Sequence, residues 1–188
     1  MAHTVPSPPS ALPPFSPTLE VIVNPLWRYV DVMPAFIRKP LLKCLEKAGI
    51  AYKHTENWTL VSKVMHFYQM VEQELGSEVL FDLGKKGTNI LSIPPHIQVL
   101  SDMLTYFDEL YQANHRGGYA GFYKLWEDDQ ENQRYTFRIH TPYPKILNKG
   151  VLTGFGRAYG YMVYVTELPD AVSDASTHSD HWFSITYR

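Results

Sequence analysis

A chain of 188 residues with 45% hydrophobic content is long and apolar enough for one domain with a sizeable core, plus a tail. The net charge of −2 gives no electrostatic case for nucleic acid or an anionic membrane as partner. The single cysteine, Cys44, excludes an internal disulfide framework and fits a reducing compartment. No apolar run approaches the ~20 residues needed to span a bilayer. Residues 1–18 lack a basic segment followed by an apolar run, so no secretory leader is expected and the expected location is cytoplasmic.

In chain order, residues 1–18 (through VPSPPSALPPFSP) are rich in Pro, Ser and Ala and read as a disordered or docked tail outside a single domain at 19–188. A short strand is expected at Leu19–Val23. Pro34–Gly49 reads as a helix with Phe36, Ile37, Leu41, Leu42 and Leu45 on its apolar face, and with Pro40 as a kink or restart. Cys44 sits among those apolar residues, as a small buried hydrophobe would. Thr55–Leu75 carries the strongest helical stripe, Trp58, Val61, Val64, Met65, Tyr68 and Val71, with Thr55 as N-cap and Gly76 as stop. A shorter helix is predicted over Val79–Ile90, closed by Gly84 and Gly87. Another follows over His96–His115, with Leu104, Phe107 and Tyr111 sharing one face.

From Tyr119 the period changes. Tyr119–Trp126 reads as a strand, Glu127–Gln133 as a solvated hairpin tip, and Tyr135–His140 as a second strand. A corner, His140-Thr141-Pro142-Tyr143-Pro144-Lys145, leads into a helix with Leu147, Val151, Phe155 and Ala158 at helical spacing. Tyr161–Glu167 and the segment around Phe183, Ile185 and Tyr187 complete a β-β-α-β-β order. The expected class is α+β, with N-terminal helices on an antiparallel sheet of about four strands. Gly150 and Gly154, four apart on one helix face, permit close approach of the sheet or of a ligand.

The chemistry-bearing motifs are sparse. There is no phosphate loop, nucleophile elbow, paired-cysteine motif or zinc-protease helix, and no catalytic residue is assigned. His178 and His181, with Asp180, are weak candidates for a metal, because two residues three apart on an extended segment face opposite sides. The corner tyrosine, Tyr143, is pushed to extended geometry by the proline that follows it. Leu104, Phe107, Tyr111, Tyr143 and Phe155 are the candidate ligand-binding residues. They form an aromatic wall with one oriented hydroxyl, suited to a flat or greasy ligand.

The stretch Arg134–Gly160, RYTFRIHTPYPKILNKGVLTGFGRAYG, resembles the strand-turn-helix of the superfamily that joins haem-nitric-oxide/oxygen-binding domains, 4-vinyl reductase domains and ligand-binding subunits of Golgi transport particles. The resemblance extends over about Pro34–Arg188. It implies an α+β fold with an internal pocket and a sensor role. The Tyr-x-Ser-x-Arg signature of the haem-binding branch is missing at Ile139–Tyr143. That branch's axial histidine is missing from LTYFDELY, with His115 the nearest histidine. The cysteines of the 4-vinyl reductase branch are absent too. Haem or another tetrapyrrole is therefore an unsupported cofactor, and cofactor identity stays open. The expectation is a non-catalytic binding or sensor domain for a small hydrophobic or aromatic molecule, with a homodimer as one open assembly. The alternatives are an enzyme or accessory acting on a bulky hydrophobic or tetrapyrrole-like substrate, and a structural interaction subunit whose pocket is filled.

Overall fold

The computed structural model describes residues 12–52, 57–91, 93–169 and 180–188. Strand β1 (Glu20–Ile22) leads into helices α1 (Asn24–Val32) and α2 (Ala35–Lys47). Strand β2 (Trp58–Leu60) enters α3 (Val61–Leu75), followed by α4 (Ser77–Gly87), a 3-10 turn (Thr88–Ile90) and α5 (Leu100–Ala113). Then come β3 (His115–Arg116), the hairpin β4 (Phe122–Asp129) and β5 (Arg134–His140), helix α6 (Lys145–Ala158), and strands β6 (Val163–Leu168) and β7 (Asp180–Tyr187). The fold is α+β, as the change of period at Tyr119 predicts. No helix among the described residues is long and apolar enough to cross a membrane.

The main sheet is antiparallel, in the order β4-β5-β7-β6. Its inner face follows from strict alternation: Tyr135, Phe137 and Ile139 on β5 are buried, as are His181, Phe183 and Ile185 on β7. These residues pack against α5 and α6 through Phe107, Leu104 and Phe155, giving one core. A second core lies among α1–α4, around Leu41, Leu45, Phe67 and Leu80. Cys44 is fully buried in it, and burial pushes its thiol pKa up.

Several predicted elements shift for identifiable reasons. Helix α1 goes unpredicted because only nine residues carry its stripe of Leu26, Trp27 and Val30. Trp58 lies in β2 rather than on the α3 stripe. There it pairs with Ile22, and the Arg116 guanidinium lies 4.3 Å from its ring centre. Thr55, the expected N-cap, falls outside the described residues, and Leu60 in extended conformation precedes α3 instead. Helix α2 continues through Pro40, whose missing N–H would have reached Phe36. That residue is 76% exposed, so water can serve its carbonyl. Strand β4 runs on to Asp129 past a bulge at Leu125/Glu127, so the acidic segment starts inside the strand and Arg134 pairs with Asp129 at 3.0 Å.

The largest correction concerns the glycines. Gly84 does not close α4 but lies inside it, and Gly150 and Gly154 face α4 rather than the sheet. A Cβ on Gly150 would strike the Phe81 carbonyl, one on Gly154 the Lys85 carbonyl and Thr88, and one on Gly84 the Leu147 carbonyl. The two helices thus touch backbone to backbone. Phe15, placed in the tail by composition, stacks on His140 with ring centres 4.9 Å apart. The Thr18 hydroxyl donates to the Gly117 carbonyl at 2.9 Å.

Candidate functional site

Between the two cores lies a cavity of about 140 Å³. It is lined from α1 by Leu26 and Tyr29, from α3 by Val64 and Tyr68, and from α5 by Phe107 and Tyr111. His115, Tyr123, Tyr143 and Asn148 close the other side. The close approach of α4 and α6 forms its floor, with Gly84, Leu147 and Val151 in the lining.

Of the five residues expected to bind ligand, Phe107, Tyr111 and Tyr143 line this cavity. Leu104 and Phe155 are fully buried in the core behind it, and Phe155 meets Phe107 edge to face with ring centres 4.7 Å apart. His178 lies outside the described residues. His181 is buried on the inner face of β7, opposite Ile139. Among the described residues there is no cluster of three or more His, Cys, Asp or Glu that could hold a metal.

The polar part of the wall has two centres. At the first, His115 is held between two oxygens: Nδ1 lies 2.6 Å from the Tyr111 carbonyl and Nε2 lies 2.6 Å from the Tyr143 hydroxyl. A carbonyl can only accept, so Nδ1 carries the proton. Burial lowers the His115 pKa, against a smaller opposing effect of the carbonyl hydrogen bond, so the ring is neutral at pH 7 and Nε2 accepts. Tyr143 therefore donates its hydroxyl proton to His115. At the second centre, Tyr123 donates to Asn148 Oδ1 at 2.6 Å, and Asn148 Nδ2 donates to Thr141 at 3.2 Å. Asn148 is 1% exposed, so its amide is satisfied by these partners.

Two more tyrosines complete the ring. Among the described residues the hydroxyls of Tyr29 and Tyr68 have no hydrogen-bond partner. Burial raises the pKa of Tyr29, Tyr68, Tyr123 and Tyr143 far above the ordinary phenol range. Repulsion among their would-be phenolates raises those of Tyr68, Tyr123 and Tyr143 further. All four are neutral at any physiological pH. Tyr29, Tyr68, His115, Tyr123 and Asn148 were not assigned from sequence. Asn148 carried a usable signal, an amide between Leu147 and Val151 on an otherwise apolar stripe.

The arrangement defines a class: an α+β domain with an aromatic, uncharged internal cavity. No family model matches the chain, and no curated protein matches it. Solved structures do. An oxygen-binding H-NOX domain related to soluble guanylate cyclases, solved as its oxygen complex, aligns with a TM-score of 0.65 at 14% identity, over 88% of this chain and 93% of that one. A point mutant of the T. tengcongensis H-NOX domain aligns at 0.63 and 13%, over 86% and 94%. An H-NOX domain from work on haem distortion aligns at 0.67 and 13%, over 87% and 93%. At these identities the likeness establishes the fold: this chain has the H-NOX fold.

Proposed function

We propose that the domain is a non-catalytic binder of a small apolar or aromatic molecule, used as a sensor, and that the ligand occupies the cavity between the two cores. The observation that supports this is the cavity itself. It is lined mainly by aromatic and aliphatic side chains and carries a few oriented polar groups, as small-molecule sites do. At about 140 Å³ it is close to the ~150 Å³ of an apolar protein cavity that takes up benzene. Its position between two separately packed cores gives a sensor mechanism, because a molecule filling it bears on how the α1–α4 layer sits on the α5–α6–sheet layer.

Haem, named for the similar solved domains, does not fit these residues. The space is below the ~300–1,000 Å³ of pockets for drug-sized ligands. No lysine or arginine lines it to meet a porphyrin's carboxylates, and both ring nitrogens of His115 are already engaged. The ligand proposed is therefore a smaller, metal-free molecule. The wider kinship with 4-vinyl reductase and Golgi-transport domains, the cytoplasmic location and the homodimer belong to the same proposal. Sedimentation analysis tests the homodimer.

Thermal melting in the presence of benzene and toluene tests the cavity reading. A concentration-dependent rise in Tm is expected, of the size set by ligand concentration over Kd. Added hemin should keep the absorption spectrum of the free compound. No rise in Tm up to the solubility limit, together with a hemin complex that forms stoichiometrically, would reject this reading in favour of a haem domain.

A further inference from the structure

We infer that the cavity selects a single-ring hydroxyl compound of the phenol type over apolar rings of the same size. This rests on the reading that the cavity holds the ligand, and it follows from where the hydrogens of the wall are committed. The Tyr111 carbonyl fixes the proton of His115 on Nδ1, 2.6 Å away, which leaves Nε2 as an acceptor. Tyr143 must then donate to Nε2, at 2.6 Å, and its oxygen has only lone pairs left for a ligand. Tyr123 is in the same state, because its proton goes to Asn148 Oδ1 at 2.6 Å. Tyr68 and Tyr29, also in the lining, have hydroxyls with no partner among the described residues, so each still has a proton to donate.

The wall thus offers both fixed acceptors and uncommitted donors. The rings of Tyr68 and Tyr143, an uncommitted donor and a fixed acceptor, meet edge to face with centres 6.1 Å apart, and both line the same cavity. A hydroxyl both gives and receives a hydrogen bond, so it satisfies the two at once. A methyl group would satisfy neither, and an ether oxygen only the donor. A carboxylate or phosphate would meet no lining cation. The rings of Phe107 and Tyr111 and the side chains of Leu26 and Val64 receive the apolar ring.

Isothermal titration of the full chain with phenol, anisole and toluene tests this. Water holds phenol better than toluene, so a cavity without matching polar groups prefers toluene. The expected order is phenol tightest, with anisole and toluene weaker. Tyr143→Phe should weaken phenol by about tenfold, the upper range for one neutral hydrogen bond, and leave toluene within about twofold. Toluene or anisole binding the wild-type chain as tightly as phenol overturns the inference and leaves the cavity reading standing. Failure of all three to bind overturns both. The wild-type series decides the matter even if Tyr143→Phe folds poorly.

Discussion

His115 is the residue whose protonation holds the polar wall in register. Burial lowers its pKa from the ordinary 6.5, and the hydrogen bond to the Tyr111 carbonyl offsets part of that. The groups facing it are that carbonyl and the Tyr143 hydroxyl. As pH falls through about 6.5 the unfolded chain takes up a proton here, while the native ring stays neutral until lower pH. Stability therefore drops as pH falls through that window, and levels off only below the depressed native pKa. Melting curves between pH 8 and 5 should show the wild type losing more Tm than His115→Gln. Parallel curves would mean that His115 is not held neutral. At this scale Tyr143 was legible in the sequence, because the proline after it restricts its backbone and Pro144 then starts a helix. His115 was not. It lies just past a helix end, and only the fold reveals that β3 turns it toward Tyr143, 28 residues on in the chain.

At the scale of elements, the contact between α4 and α6 sets the floor of the cavity. Glycine costs a helix interior about 1 kcal/mol relative to alanine, so three interior glycines need an offsetting gain. Backbone contact supplies it: no side chain fits between Gly154 and the Lys85 carbonyl. Gly154→Leu should therefore destabilise by about 1–3 kcal/mol, the usual range for overpacking, despite the better helix propensity of leucine. Urea denaturation measures this, and a stabilised variant would show that the helices part without cost. That close packing occurs at these glycines was legible from their four-residue spacing. The partner was not, because spacing on one helix says nothing of which element lies opposite. The strands of the small sheet β2-β1-β3 were mostly hidden for another reason. Two or three residues are too few to show a period, and their pairing joins Glu20 to both Leu60 and Arg116 across long stretches of sequence.

For the molecule as a whole, the order of a helical layer followed by β-β-α-β-β could be anticipated, since each long element carries its own period. Where the domain begins could not, because proline-rich composition does not distinguish a free segment from one docked by a single aromatic ring. Phe15 clusters with His140 and Tyr119, its ring centre 4.9 and 6.1 Å from theirs, and Ser16 and Thr18 both donate to the Gly117 carbonyl, at 3.1 and 2.9 Å. The docking relies on backbone no other residue could adopt readily. Gly117 and Gly121 have φ of 88° and 91°, and a Cβ on Gly121 would strike the His140 carbonyl. His140 is 2% exposed with this cover in place, so losing it would open the end of the β4–β5 hairpin where the corner to Tyr143 begins. Two truncations separate composition from docking. Removal of residues 1–11 should leave Tm within about 1–2 °C, since that stretch has little apolar surface to bury. Removal of residues 1–17 takes away an aromatic stack of about 0.5–1.5 kcal/mol and a hydrogen bond of similar size. Together these come to about 1–3 kcal/mol, so at roughly 2–4 °C per kcal/mol for a chain of this length Tm should fall by about 2–12 °C. Equal melting of the two truncated chains would show that Phe15 covers His140 without stabilising the fold.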